Sequence, residues 1–246
     1  MRKLVAPPHA RRAAANGCVS DIVWLFDLDN TLHDCSRHIF QAIDRAMSDT
    51  MMQWLDLDLA SADRLRLDYW RRYGATAIGL ELHHGIPAAD FLAASHSFDI
   101  APLVHAEGGL RQKLAALPGR KIVLTNAPHD YARVVLSTLG ILQEFERIWA
   151  IDHMRLQGRL KPKPSTAMLR QLLVRLRVPA RQVVLVDDTL KNLRSAKSLG
   201  MRTVHCDHPG TPHNPLQHGR SPYVDLRVTQ VGQLLTTLHR QFPSRA

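Results

Sequence analysis

Three short apolar runs, at residues 22–26 (IVWLF), 121–124 (KIVL) and 183–186 (VVLV), each give way at once to a polar side chain: Asp27, Thr125 and Asp187. The runs are too short for helices and rich in β-branched residues, which marks them as buried parallel strands. In an open α/β sheet the ligand crevice lies outside the carboxyl ends of the strands, so side chains about a hundred positions apart in sequence can meet there. The chain therefore has to fold so that its carboxylates and hydroxyl gather at one sheet edge.

The remaining pattern supports that architecture. A helix over 106–117 stops at Pro118-Gly119, and a second over 130–139 stops at Gly140. A strand over 148–151, a helix over 165–177, the strand over 183–187 and a helix over 190–199 stopped by Gly200 follow. Short strands at 202–205 and 223–226 and a helix over 229–240 close the chain. Such alternation predicts an α/β fold with a doubly wound parallel sheet. Between the first two strands the period changes: Ile39, Ile43, Met47 and Met51 recur every four residues, as do Leu65, Tyr69, Tyr73 and Ala77. That spacing is helical. The expected organisation is a core of residues 20–34 and 104–246, an all-helical cap over 35–103 inserted after the first strand, and a disordered basic tail over 1–19.

A chain of 246 residues is long enough for one full core and a modest second unit. No apolar run approaches the roughly 18 residues of a bilayer span, so no membrane association is expected. The three cysteines, Cys18, Cys35 and Cys206, show no C-x-x-C spacing, which argues against a disulfide framework or thiolate zinc site and for a cytoplasmic location. The tail carries Arg2, Lys3, Arg11 and Arg12 but lacks the apolar stretch of a secretory signal. A net charge of +10 raises nucleic acid as a partner, yet the charges are scattered along helices without a basic block, so a solvated surface that attracts small anions is the preferred reading. His205, His208, His213 and His218 lack compact ligand spacing and read as a Pro-rich surface loop over 207–222 rather than a metal site.

The gathered residues suit phosphoryl transfer. Asp27 would attack phosphorus and form an aspartyl-phosphate, splitting one displacement into two. Asp29, on the same side of an extended strand, would protonate the leaving oxygen and later activate water. Carboxylates facing a phosphate dianion need a hard cation, and Mg²⁺ takes one or two carboxylates with waters and phosphate oxygen. Asp27 and Asp188 supply carboxylates, the Asp29 backbone carbonyl a further ligand, and Asp187 a direct or water-bridged one. Lys161 would neutralise the nucleophile, and Thr125, with the backbone near Asn126, would hold the phosphoryl group. An Asp27/Asp29 pair alone would read as a helix cap.

The four stretches DLDNT (27–31), TN (125–126), KPKP (161–164) and DDTLKN (187–192), in this order and at these strand ends, resemble the haloacid dehalogenase superfamily of phosphatases. The resemblance spans about 20–240 and implies a Rossmann-like core. Of the two lysines in KPKP, its spacing points to Lys161 and leaves Lys163 solvated. Asn192 departs from the Asp often found there, and orienting Asp188 or Lys161 is its expected role. The segment LRLDYWRRYGATAIGL at 65–80 resembles the pyrimidine 5′-nucleotidase branch, which implies UMP and CMP as substrates and a cap closing over the base. Asn30, Asn126 and Tyr73 are then candidate substrate contacts, Tyr69 and Trp70 a stacking face, and His83 or His84 a polar contact. The alternatives are a phosphatase or phosphotransferase acting on another small phosphometabolite, such as phosphoglycolate or a sugar phosphate, and a non-catalytic nucleic-acid-binding module. A dehalogenase is disfavoured, because it gives Asp29 and the metal carboxylates no task.

Overall fold

The computed structural model describes residues 22–36, 38–207 and 221–241. The basic tail over 1–19 and the histidines at 208, 213 and 218 lie outside the described residues. The core is a six-stranded, all-parallel sheet built from β1 (Val23–Phe26), β2 (Arg120–Leu124), β3 (Arg147–Trp149), β6 (Val183–Asp187), β7 (Arg202–Cys206) and β8 (Leu226–Val228), in the order β3-β2-β1-β6-β7-β8. A small antiparallel hairpin, β4 (Arg155–Leu156) and β5 (Arg159–Leu160), leads into the KPKP stretch and has no counterpart in the sequence reading.

Side chains of the central strand alternate between the two faces, as the pleat requires. Trp24 and Phe26 join a cluster with Leu114, Tyr131, Val135 and Leu234, from helices α5 (Leu110–Ala116), α6 (His129–Thr138) and α9 (Leu234–Gln241). Val23 and Leu25 face the other way, onto Leu169 and Leu172 of α7 (Thr166–Leu176) and Leu193 of α8 (Leu190–Ser198). Both faces of the sheet are thus covered, which is why its strands read as continuous apolar runs. Entry into β2 depends on Gly119: its φ of +99° suits glycine, and a Cβ there would lie 2.4 Å from the Ile22 carbonyl oxygen.

Residues 39–95 form four helices, α1 (Ile39–Leu55), α2 (Leu59–Tyr73), α3 (Thr76–His84) and α4 (Ala88–Ser95). They have their own apolar cluster around Met51, Ala62, Tyr69, Leu80 and Phe91. Asp58 caps α2 by accepting the Ser61 N–H at 2.7 Å, and Gly74 ends it in the left-handed conformation. Ile151, ahead of the hairpin, and Leu160, in its second strand, complete that cluster, and Arg155 pairs with Glu81 of α3 at 3.0 Å. No described helix is long and apolar enough to cross a membrane.

Candidate active site

Strand order reverses at β1, whose neighbours are β2 on one side and β6 on the other. Carboxyl ends on either side of such a reversal form the crevice of an open α/β sheet. Register then fixes the chemistry. Phe26 pairs with Val186, and the Asp27 N–H continues the ladder by donating to the Val186 carbonyl at 2.9 Å. Asp27 therefore stands beside Asp187.

The cation between them is Lys163, not Lys161. Lys163 Nζ lies 2.8 Å from Asp27 Oδ1 and 2.7 Å from Asp187 Oδ2, and the residue is 2% exposed. The Lys161 side chain is exposed, while its backbone N–H donates to the Met154 carbonyl. The choice is made by Asn126, just beyond β2. Its amide oxygen accepts the Lys163 N–H at 2.9 Å and its Nδ2 donates to the Lys163 carbonyl at 3.0 Å, a side-chain imitation of strand pairing. Asn126, expected as a substrate contact, is a clamp on the lysine loop.

Asp187 is fully buried and its oxygens are held by protein donors: Lys163, Asn192 Nδ2 at 2.9 and 3.1 Å, and the Thr189 N–H at 2.9 Å. Direct metal ligation by Asp187 would have to compete with these donors, and the same carboxylate holds Lys163. Asn192 orients Asp187, not Asp188 or Lys161. Thr125 is buried, with Oγ1 accepting the Ala127 N–H at 3.0 Å.

Asp29 belongs to a second cluster. Its Oδ1 accepts from Tyr131 Oη at 2.9 Å and meets His33 Nε2 at 2.9 Å, and the Cys35 sulfur lies 3.8 Å from the same tyrosine hydroxyl. Asn30, a candidate substrate contact, is buried with φ +55°; its side-chain Oδ1 accepts from the Cys35 N–H at 3.0 Å and the Ser36 hydroxyl at 3.1 Å, stapling the loop that carries His33. His33, Tyr131 and Cys35 are the residues that sequence reasoning missed, while Lys163 was weighed in KPKP and set aside for Lys161. Of the three, only the D-x-x-x-H spacing of Asp29 and His33 left a local signal.

The expected base platform is internally engaged. Tyr73 Oη meets His83 Nε2 at 2.6 Å, Tyr69 Oη meets His84 Nε2 at 2.8 Å, and the Tyr69 and His83 rings stack at 5.5 Å. His205 is a strand residue of β7, buried, with Nε2 at 3.0 Å from the Asp188 carbonyl.

Charge is unbalanced in this crevice. Asp27, Asp187 and Asp188 offer oxygens all within 4.8 Å of one another, against the single lysine. Burial, then Asp187, pushes the Asp27 carboxyl well above the usual range despite Lys163. Burial, then Asp187, raises Asp188 to about 7. Lys163 is raised as well: burial opposes its charge, but Asp187 and Asp27 outweigh that and hold it above the ordinary lysine range. Burial also raises Asp29, yet the hydrogen bonds from His33 and Tyr131 prevail and keep it below the usual carboxylate range. Surplus anionic oxygen of this kind fits a hard divalent cation. Asp27 and Asp188, with the Asp29 carbonyl, would hold it, and the cation would neutralise phosphate oxygens.

Comparisons with known proteins agree with the geometry. Residues 24–206 match the family described as haloacid dehalogenase-like hydrolase. Glyceraldehyde 3-phosphate phosphatase of Pyrococcus furiosus is 24% identical over 236 residues, covering 89% of this chain and 93% of the relative. Phosphoglycolate phosphatase of Colwellia psychrerythraea is 26% identical over 200 residues, covering 74% of this chain and 82% of the relative. Among solved structures, a HAD phosphatase from Thermococcus onnurineus shares the fold with a TM-score of 0.61 at 19% identity, covering 88% of this chain and 97% of that one. A parallel sheet of this order, carboxylates at the ends of its central strands and a family match over most of the chain place the protein in the haloacid dehalogenase-like hydrolase family.

Proposed function

We propose that the protein is a Mg²⁺-dependent phosphomonoesterase acting on a small phosphometabolite through an aspartyl-phosphate. The observation that carries this is Lys163 clamped between Asp27 and Asp187, with Asp188 alongside. Asp27 Oδ forms a bond to phosphorus as the phosphorus–oxygen bond to the leaving alcohol breaks. That oxygen takes the electron pair and receives a proton from Asp29, which is ionised in the free protein and takes that proton up as the phosphate dianion enters beside it. In the second half, water gives its proton back to Asp29 and attacks phosphorus, releasing phosphate and regenerating the Asp27 carboxylate. Lys163 neutralises the nucleophile and the transferring oxygens. Thr125, at the end of β2, is the phosphoryl-holding hydroxyl.

Helices α1–α4 are proposed as the cap. They lie between β1 and β2 in sequence and have a separate apolar cluster. The relatives named for triose phosphate and phosphoglycolate favour a small ester over the expected UMP and CMP. The Tyr69, Tyr73, His83 and His84 side chains, which bond one another, give the pyrimidine reading no added support. The test is phosphate release at neutral pH with Mg²⁺ from phosphoglycolate, glyceraldehyde 3-phosphate, a hexose phosphate, UMP, CMP and AMP. Preference for one of the first three is expected. Preference for UMP and CMP would overturn the substrate class but not the chemistry, and no release from any ester would overturn both.

A further inference from the structure

Asp29 and Asp27 are two residues apart, yet their carboxylates fall into different clusters: Asp27 with Asp187 and Asp188, Asp29 with His33 and Cys35. Two donors from separate elements converge on one atom of Asp29. Tyr131 Oη donates to Oδ1 from the first turn of α6, 102 residues away, and His33 Nε2 meets the same Oδ1 from the loop after β1. Tyr131 and His33 are 4% and 3% exposed, so neither side chain is free to reorient. His33 Nδ1 is buried and has no partner among the described residues, so the imidazole is committed through Nε2.

From this convergence we infer that Tyr131 and His33 are positioning residues for proton transfer, holding Asp29 by Oδ1 so that Oδ2 exchanges the proton with the leaving oxygen and the attacking water. A carboxylate on a freely rotating side chain would be repelled by its anionic neighbours and would sample unproductive rotamers; two fixed donors on one oxygen leave a single orientation. Cys35 packs under the tyrosine hydroxyl, and the Asn30 staple fixes the loop that delivers His33. The inference rests on the proposed roles of Asp27 and Asp29.

The test is a leaving-group series. Tyr131→Phe and His33→Gln are compared with wild type and Asp29→Asn by kcat/KM on an alkyl phosphate, phenyl phosphate and p-nitrophenyl phosphate. An alkoxide needs a proton to depart, whereas p-nitrophenolate does not. Both positioning variants should lose about 10- to 100-fold on the alkyl ester and under about threefold on p-nitrophenyl phosphate. A merely structural role would lower all three esters alike, and that outcome, or an unchanged or raised alkyl rate, would overturn the inference. Thermal unfolding of each variant separates misfolding from lost positioning; if Tyr131→Phe does not fold, His33→Gln carries the test. A flat loss in Asp29→Asn would overturn the proton-carrier role itself. A leaving-group-dependent loss in Asp29→Asn without one in the two variants would overturn the positioning alone.

Discussion

Lys163→Met removes the buried cation while keeping most of the side-chain volume. Its Nζ makes contacts of 2.8 Å to Asp27 and 2.7 Å to Asp187, and Asp187 has no exposure at all. Deleting one partner of a buried ion pair costs about 3–5 kcal/mol, because it leaves an uncompensated charge rather than an empty space. Asp187 keeps donors from Asn192 and the Thr189 N–H, which places the expected cost near the lower end, about 3 kcal/mol. At about 2–4 °C per kcal/mol for a chain of this size, the melting temperature should fall by roughly 6–12 °C. Turnover of p-nitrophenyl phosphate should fall by about 10²–10³, the typical loss when one fixed electrostatic group is removed. Lys161→Met is the matched control: its side chain is exposed, and a surface change of this kind stays within about 0.5 kcal/mol. Differential scanning fluorimetry and steady-state kinetics on both variants measure the two quantities. Equal losses in the two variants, or a larger loss in Lys161→Met, would refute the assignment of the lysine.

Three further outcomes follow from the same geometry. Asp188, raised by burial and Asp187 from 3.8 to about 7, binds more protons folded than unfolded across that interval, so metal-free stability should fall as pH rises from about 4 to about 7. Mg²⁺ should then raise the melting temperature more at pH 8 than at pH 5, and a shift independent of pH would count against Asp188 as a ligand. Asn192→Ala withdraws a donor from both oxygens of Asp187 and should cost about 1.5–3 kcal/mol in urea unfolding; an unchanged midpoint would show that Asn192 does not support the carboxylate. Gly79→Ala would place a Cβ 2.2 Å from Tyr69 Cγ, so the ring must move and about 1–3 kcal/mol of stability should be lost; retention of full stability would show that α2 and α3 can separate freely.

The parallel sheet was legible because burial on both faces writes itself into sequence as short β-branched runs, and β1, β2 and β6 fall where those runs predict them. Asp27 and Asp187 were legible for the related reason that a carboxylate directly after such a run has to sit at a strand end. The hairpin β4–β5 was not, since two strands of two residues each carry no periodicity. Its consequence reaches the site. Lys161 and Lys163 are two apart, an even spacing that strand alternation cannot separate, so no local pattern in KPKP distinguishes the exposed lysine from the buried one. The distinction lies in Asn126, 37 residues away, whose amide pairs with the Lys163 backbone and not with that of Lys161. Tyr131 is a parallel case, hidden on the buried face of an ordinary amphipathic helix until the fold brings its hydroxyl to Asp29. Groups proposed to attack or ligate were readable because they stand at strand ends; the groups that hold them were not, because their partners are set only by tertiary contact.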